Sequence, residues 1–253
     1  MGPRCPLGAS ARNVVSLPLN SEMACAVCGE TMLSHTSAEP RTQYSRGPLG
    51  VPSRGVSSVD RAIELVGPYC DIVDRLKVVP PSAQTRGVWI KNVEKQVERL
   101  GQAAAYRDYF PSDHYTSLSF YPVADLLIRS ACAGALVTSP ERVHEGMMLI
   151  TKGNAESFMA SLLGRMMLRV FSRDAARLLE QALAARRQSF SYGHWEMRRH
   201  SDREVEMIYD NEYWWIESAV TGAARGTFEA CKIEAQIETK LIDRFNGSTF
   251  FRW

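Results

Sequence analysis

The stretch HWEMRRHSDREVEMIYDNEYWWIESAVTGAARGTFEACKIEAQIETKLIDRFNGSTFFRW (194–253) decides the fold, because its apolar period changes along its length. Trp195 and Met197 alternate with polar neighbours, and Val205, Met207 and Tyr209 alternate with Glu204 and Glu206. A period of two marks a strand with one buried face, so two strands are expected around Ser201-Asp202. Residues 213–231 return to a helical period, where Ala219, Gly222, Ala223 and Gly226 give a small-residue face suited to packing against a sheet. Ile233, Ala235, Ile237, Thr239 and Leu241 then alternate with Glu234, Gln236, Glu238 and Lys240. Asn246-Gly247 predicts a type I′ hairpin turn, and Thr249, Phe251 and Trp253 complete the last strand. The order strand, strand, helix, strand, strand follows about a hundred helical residues. That predicts an α+β fold, a helical layer packed on a small antiparallel sheet.

Outward from this unit the period is helical. Asp174 and Ser172 open a helix that Arg186-Arg187 close in accord with the macrodipole, with Leu178, Leu179, Ala182 and Leu183 as its core. Before it, Ala155, Phe158, Met159, Leu162, Met166 and Val170 make a long amphipathic helix. Ser139-Pro140 starts another, burying Val143, Met147 and Ile150 and punctuated by Gly153. Pro122 suits a first helical position ahead of Val123, Leu126, Leu127, Ala131 and Gly134. Arg86-Gly87 opens a helix whose apolar stripe is Trp89, Val93, Val97 and Leu100, ended by Gly101. Ser58 is placed to cap a short helix over 59–66, and a second short helix is expected over 69–77 before Pro80-Pro81.

Residues 1–57 hold half of the twelve prolines and no sustained period. They predict a flexible leader, with 58–253 as one domain and Met23 as an alternative start to Met1. Deleting the leader is expected to change the melting temperature of the remainder by no more than a few degrees. Cys25 and Cys28 form a Cys-x-x-Cys pair with His35 seven residues on. A structural zinc site needs four ligands; only Cys5 is near enough to add to these, so no metal site is expected there. Cys132 and Cys231 fall in apolar helical stretches and read as small buried hydrophobes.

The chain has 253 residues, with 30 Lys+Arg against 28 Asp+Glu and a formal charge of +2. That balance argues against a strongly basic nucleic-acid binder. No run of about 18 apolar residues and no secretory h-region occurs, which predicts a cytoplasmic protein without a membrane partner. There is no Gly-x-Ser-x-Gly, no phosphate-binding GxxxxGK[ST] and no GxGxxG. The histidines, His35, His114, His144, His194 and His200, form no paired metal motif. His114 lies beside Asp113 without a matching nucleophile, and His144-Glu145 reads as a half-exposed helical pair. Arg198-Arg199-His200 with Arg203 reads as a solvated hairpin tip. The densest aromatic cluster is Tyr213-Trp214-Trp215. It predicts either sheet-packing core or the wall of an apolar pocket, with Phe158, Leu162, Met166 and Leu179 as the facing residues.

One series of residues carries a resemblance. It runs from Arg86-Gly87 through FYPVADLL (120–127) and GNAESFMASLLGRMML (153–168) to GAARG (222–226) and the hairpin ending in Trp253. Over roughly residues 80–253 it resembles a myxobacterial paralogous family catalogued as a domain of unknown function. More distantly, the element order is similar to haem-nitric-oxide/oxygen-binding (H-NOX) domains, four-vinyl-reductase domains and trafficking subunits of the transport-particle family. The resemblance implies sensing or assembly, with an apolar pocket between helices and sheet, and no single shared chemistry. It does not carry haem with it. The sensors place their ligating histidine on the helix before the sheet, and DAARLLEQALAARR (174–187) has none. Their Tyr-x-Ser-x-Arg clamp is replaced by MIYDNEYW (207–214), and no cysteine follows Cys231 where the four-vinyl-reductase relatives often have a metal-site pattern. Haem is therefore not expected at the family position.

The expected function is a non-enzymatic cytoplasmic regulatory module that binds a small apolar ligand or a protein partner. The alternatives are a homodimeric scaffold without ligand and an enzyme with an unrecognised site. A cavity of several hundred Å³ between helices and sheet would mark the ligand module. A solid interior with a large exposed apolar patch would mark the scaffold.

Overall fold

The computed structural model describes residues 57–111, 115–160, 165–166 and 174–253. Cys25, Cys28, His35, His114 and Leu162 lie outside them. Helices α1 (Ser58–Val66) and α2 (Ile72–Val78) come first. Ser57, not Ser58, caps α1: its hydroxyl accepts from the Asp60 amide while the Asp60 carboxylate accepts from the Ser57 amide. This reciprocal box satisfies two orphan donors, so the cap lies one residue before the expected one.

Strand β1 (Gln84–Arg86) leads into α3 (Gly87–Arg99), then α4 (Ala103–Tyr109), β2 (Phe120–Pro122) and α5 (Val123–Val137). β1 and β2 pair antiparallel as a two-stranded ribbon. In α3 the fully buried stripe is Ile90, Val93 and Val97; Leu100 is exposed, and Trp89 turns aside towards Phe190. Gly101 ends the helix with φ of +79°, the left-handed conformation glycine takes without strain.

Helix α5 is buried along most of its length, and α1, α3 and α6 (Val143–Ala160) pack around it. Helix α6 is one continuous helix, so Gly153 does not punctuate it. Gly153 is a contact residue: a Cβ there would lie 2.5 Å from the Gln96 side-chain oxygen on α3. Gly134 on α5 and Gly146 on α6 meet backbone to backbone. Gly146→Ala would drive a methyl group into the Gly134 carbonyl, which cannot move without its helix. The expected cost is about 1–3 kcal/mol, read from urea unfolding; an unchanged midpoint would mean that α5 and α6 are not this close.

Helix α7 (Ala175–Ser189) precedes the main sheet. The sheet consists of β3 (His194–Ser201), β4 (Glu204–Asp210), β5 (Gln236–Leu241) and β6 (Gly247–Arg252). Between β4 and β5 lie a wide turn over Ile216–Val220 and helix α8 (Thr221–Ala230). All pairs are antiparallel, in the order β3-β4-β6-β5. The register Met197↔Met207↔Thr249 and Val205↔Phe251↔Ile237 puts the apolar set on one face. The α+β architecture is the expected one, and the chain order strand, strand, helix, strand, strand holds. The outer face is a charge ladder in which Glu206 faces Arg198 and His200, and Arg252 faces Glu204 and Glu238.

Two local expectations need correction. The small face of α8 packs on α6 rather than on the sheet: a Cβ on Gly222 would sit 2.6 Å from the Met148 carbonyl oxygen. The opposite side of α8 meets the sheet, where Phe228 stacks on Phe251 at 5.4 Å. A helix wedged between two layers buries both sides, and periodicity does not say which layer each side meets. The β5–β6 connection is a loop over 242–246 rather than a two-residue turn. Asp243 Oδ1 accepts from the Phe245 and Asn246 amides, and neither Asn246 nor Gly247 takes the positive φ that a type I′ turn requires. Strand β5 also starts later than its alternation, at Gln236. The end of α8 uses Lys232 at φ 56°, with the Ile233 amide returning to the Phe228 carbonyl, before the chain can extend.

Among the described residues, no single helix is long and apolar enough to cross a membrane.

Candidate functional site: an aromatic junction

The segment Glu212–Trp215 links β4 to the turn before α8 and lies where the helical layer meets the sheet. Trp215 is fully buried, and its indole N–H donates to Asp71 Oδ1 at 2.8 Å. Asp71 also accepts from Arg75 Nε at 2.8 Å, and Arg75 Nη1 donates to the Tyr213 carbonyl at 3.0 Å. The Arg75 guanidinium lies over the Trp215 ring at 4.8 Å and the Phe245 ring at 5.2 Å. A buried guanidinium is tolerated when it is paired, hydrogen-bonded and stacked. The Asp-x-x-x-Arg spacing at the start of α2 is a local helical pair that a sequence reader can see. Its buried partner Trp215, far along the chain, is not visible there.

A second buried node centres on Glu212, 1% exposed. It accepts from Arg186 Nε at 3.2 Å and Nη2 at 2.9 Å, from the Tyr192 hydroxyl at 2.9 Å, from Trp195 Nε1 at 2.8 Å and from the Trp214 amide at 2.9 Å. Arg186 is therefore not a solvated charge closing α7, as its position in the last turn suggests. It is buried and stacked over Phe190 at 4.1 Å and Tyr192 at 4.6 Å. Burial first, then the Glu212 charge, pushes the Tyr192 phenol well above its usual range.

Beside these saturated nodes is an unsaturated one. Trp89, Phe190 and Trp214 pack with ring centroids 5.4, 5.9 and 6.4 Å apart, and Thr85 bridges to Phe190 across the backbone. Trp89 Nε1, Trp214 Nε1 and Thr85 Oγ1 are all buried without a hydrogen-bond partner. An unmet buried polar group costs about 1–3 kcal/mol, so these three atoms are an unsatisfied part of the junction.

Tyr213, Trp214 and Trp215 are thus brought together with Trp89 and Phe190. The other residues expected near them are not. Phe158 packs with Met159, Leu178 and Cys231. Leu179 belongs to the core between α7 and the sheet. Met166 is 48% exposed. The reason is distance along α6. Trp215 stands beside His144 at 6.3 Å, while Phe158 is roughly 21 Å further along that helix at its normal rise. Helical phase put them on one layer but said nothing of which end. Trp89 and Phe190 were missed because each looks like ordinary core.

Burial keeps two of the described cysteines, Cys70 and Cys132, in their unreactive neutral form. Burial pushes the Cys132 thiol up to about 12 and the Cys70 thiol up to about 11, from an ordinary 9.0. These groups are neutral when protonated, so their contribution to stability is complete below about pH 9 and is lost as pH rises through 11 and 12. With Cys5, Cys25 and Cys28 replaced by serine, Cys132 is expected to resist a thiol reagent at pH 8 until the protein is unfolded. Rapid labelling of Cys132 in the native protein would contradict its burial.

The helical layer on one face of a β3-β4-β6-β5 antiparallel sheet defines an H-NOX-like α+β fold. An H-NOX protein from K. algicida, described as Fe(II) unliganded, aligns with a TM-score of 0.53 at 13% identity, covering 66% of this chain and 95% of that one. A mutant of the same protein aligns equally. A mutant H-NOX domain from T. Tengcongensis aligns with a TM-score of 0.48 at 14% identity over 66% of this chain and 96% of its own. At such identities the likeness is one of fold. The chain itself belongs to the family described as a protein of unknown function, DUF2378, whose profile matches residues 79–240. No curated protein matches it in sequence.

The residues present do not fit a haem held by a histidine on the helix before the sheet, the position that the resemblance implies. Helix α7 carries no histidine. His144 sits half-exposed beside Ser218 and Glu217, and His200 pairs with Glu206 on the outer sheet face. Among the described residues no group of three or more His, Cys, Asp and Glu is placed to hold a metal ion.

Proposed function

We propose that the chain is a non-enzymatic, sensor-type regulatory module of the cytoplasm. Its ligand is a small, largely apolar molecule that carries a hydrogen-bond acceptor and is held at the aromatic junction around Phe190. The observation that carries this reading is the group of buried, unpartnered donors, Trp89 Nε1, Trp214 Nε1 and Thr85 Oγ1. Ligand sites combine apolar and aromatic groups with a few polar atoms, and the junction has both kinds of group. The H-NOX-like fold supports a sensing role by analogy alone.

Native mass spectrometry of the purified full chain, followed by denaturing extraction, tests this. A stoichiometric small molecule is expected, and Trp214→Phe should reduce its occupancy. Protein that carries nothing and also fails to bind a simple aryl ketone such as acetophenone would sink the reading. Association with a protein partner is the second reading, favoured by Ile242, which stands 82% exposed beside the exposed Leu241 at the β5–β6 loop.

A further inference from the structure

We propose that a separate cleft of about 200 Å³ at the end of α7 binds a small organic carboxylate. Its polar lining is Arg186, Arg187, Ser191 and His194, its apolar floor is Phe190 and Trp195, and no carboxylate lines it. Arg186 commits Nε and Nη2 to Glu212 and the Tyr192 carbonyl. Its Nη1 makes no hydrogen bond among the described residues, although the side chain is only 7% exposed. That atom is not among the buried polar atoms that lack a partner, so it reaches solvent and can meet a ligand. Arg187 is exposed and has neither an ion pair nor a hydrogen bond among the described residues. The Ser191 hydroxyl is already spent, accepting from the Gln84 amide at 2.9 Å and donating to the Ser82 carbonyl at 3.2 Å. Gly193, at φ +65°, lets the chain turn from Ser191 to His194 without placing a side chain at the mouth.

The recognition chemistry follows from these groups. Glu212 neutralises Arg186, so the net positive charge comes from Arg187, with His194 adding to it when protonated. The remaining Nη1 of Arg186 and the guanidinium of Arg187 suit the two oxygens of a carboxylate. The Phe190 and Trp195 rings would stay wet beside a bare inorganic anion but are covered by a ligand with a ring or short apolar chain. This site needs nothing from the junction donors, although Phe190 contributes to both.

Benzoate titrated calorimetrically into the full chain at low salt is the test, with the indole N–H resonance of Trp195 followed in parallel. One saturable site is expected, together with a Trp195 shift. Arg187→Gln should weaken it at least tenfold with an unchanged circular dichroism spectrum, because Arg187 is exposed and has no partner among the described residues. Inorganic phosphate at the same concentration should not compete. The proposal is overturned by the absence of saturable binding, by affinity that Arg187→Gln leaves unchanged, or by phosphate that binds as tightly. Benzoate that moved Trp89 and Trp214 and ignored Arg187→Gln would reject the cleft while leaving the junction reading intact.

Discussion

Replacing Trp215 by alanine is expected to lower the unfolding free energy by about 3–5 kcal/mol, the range for deleting a large buried aromatic. The ring is 0% exposed and fastened at both ends of its chemistry: its N–H holds Asp71 and its face carries the Arg75 guanidinium. Alanine removes the apolar area and leaves α2 with a charged pair beside a hole. Trp215→Phe keeps most of the bulk and loses only the hydrogen bond, so it should cost about 1–3 kcal/mol. Urea unfolding of both variants separates the packing from the polar contribution. An alanine variant as stable as the parent would show that α2 does not dock on the junction.

Glu212→Ala is expected to be as damaging, about 3–5 kcal/mol, because it leaves Arg186 buried without its counter-charge. Tyr192, Trp195 and the Trp214 amide lose their acceptor at the same time. The informative companion is the double variant Arg186→Met/Glu212→Leu. Replacing a whole buried pair with apolar groups of similar volume is often neutral, so this variant should recover much of the loss. Recovery means that the single-site cost is the price of an unmatched charge. No recovery, with the double variant as unstable as the single, would mean that the pair holds β3, β4 and α7 together through bonds that apolar packing cannot replace.

The fold was legible where pattern and burial coincide. Alternation placed all four strands of the main sheet, because Met197, Val205, Met207 and Phe251 face one layer and their neighbours face solvent. Gly101 marked a helix end correctly, since it needs a left-handed φ. Gly153 carried the same letter for a different reason, an approach by Gln96 from another helix. Asn246 resembled a turn residue, yet its side-chain oxygen accepts from the Asn211 amide just past the end of the neighbouring strand β4. In each misreading a non-local contact set the role of a residue that looked locally defined.

The site was legible only in part. Tyr213-Trp214-Trp215 stood out by density. Glu212 did not, because its donors come from α7, β3 and the segment before β3, and nothing near it in sequence announces them. Trp89 and Phe190 became informative only through atoms that lack partners, which no pattern of letters records.

The most direct test of the ligand reading is an acetophenone titration of ¹⁵N-labelled protein that follows the five indole N–H resonances. Trp195 and Trp215 already donate to Glu212 and Asp71, so their signals should stay where they are. Trp89 and Trp214 have no acceptor, and the account predicts that both move downfield together and saturate as the ketone oxygen supplies one. Signals of Trp89 and Trp214 that remain fixed throughout the titration, or a movement confined to Trp215, would contradict it.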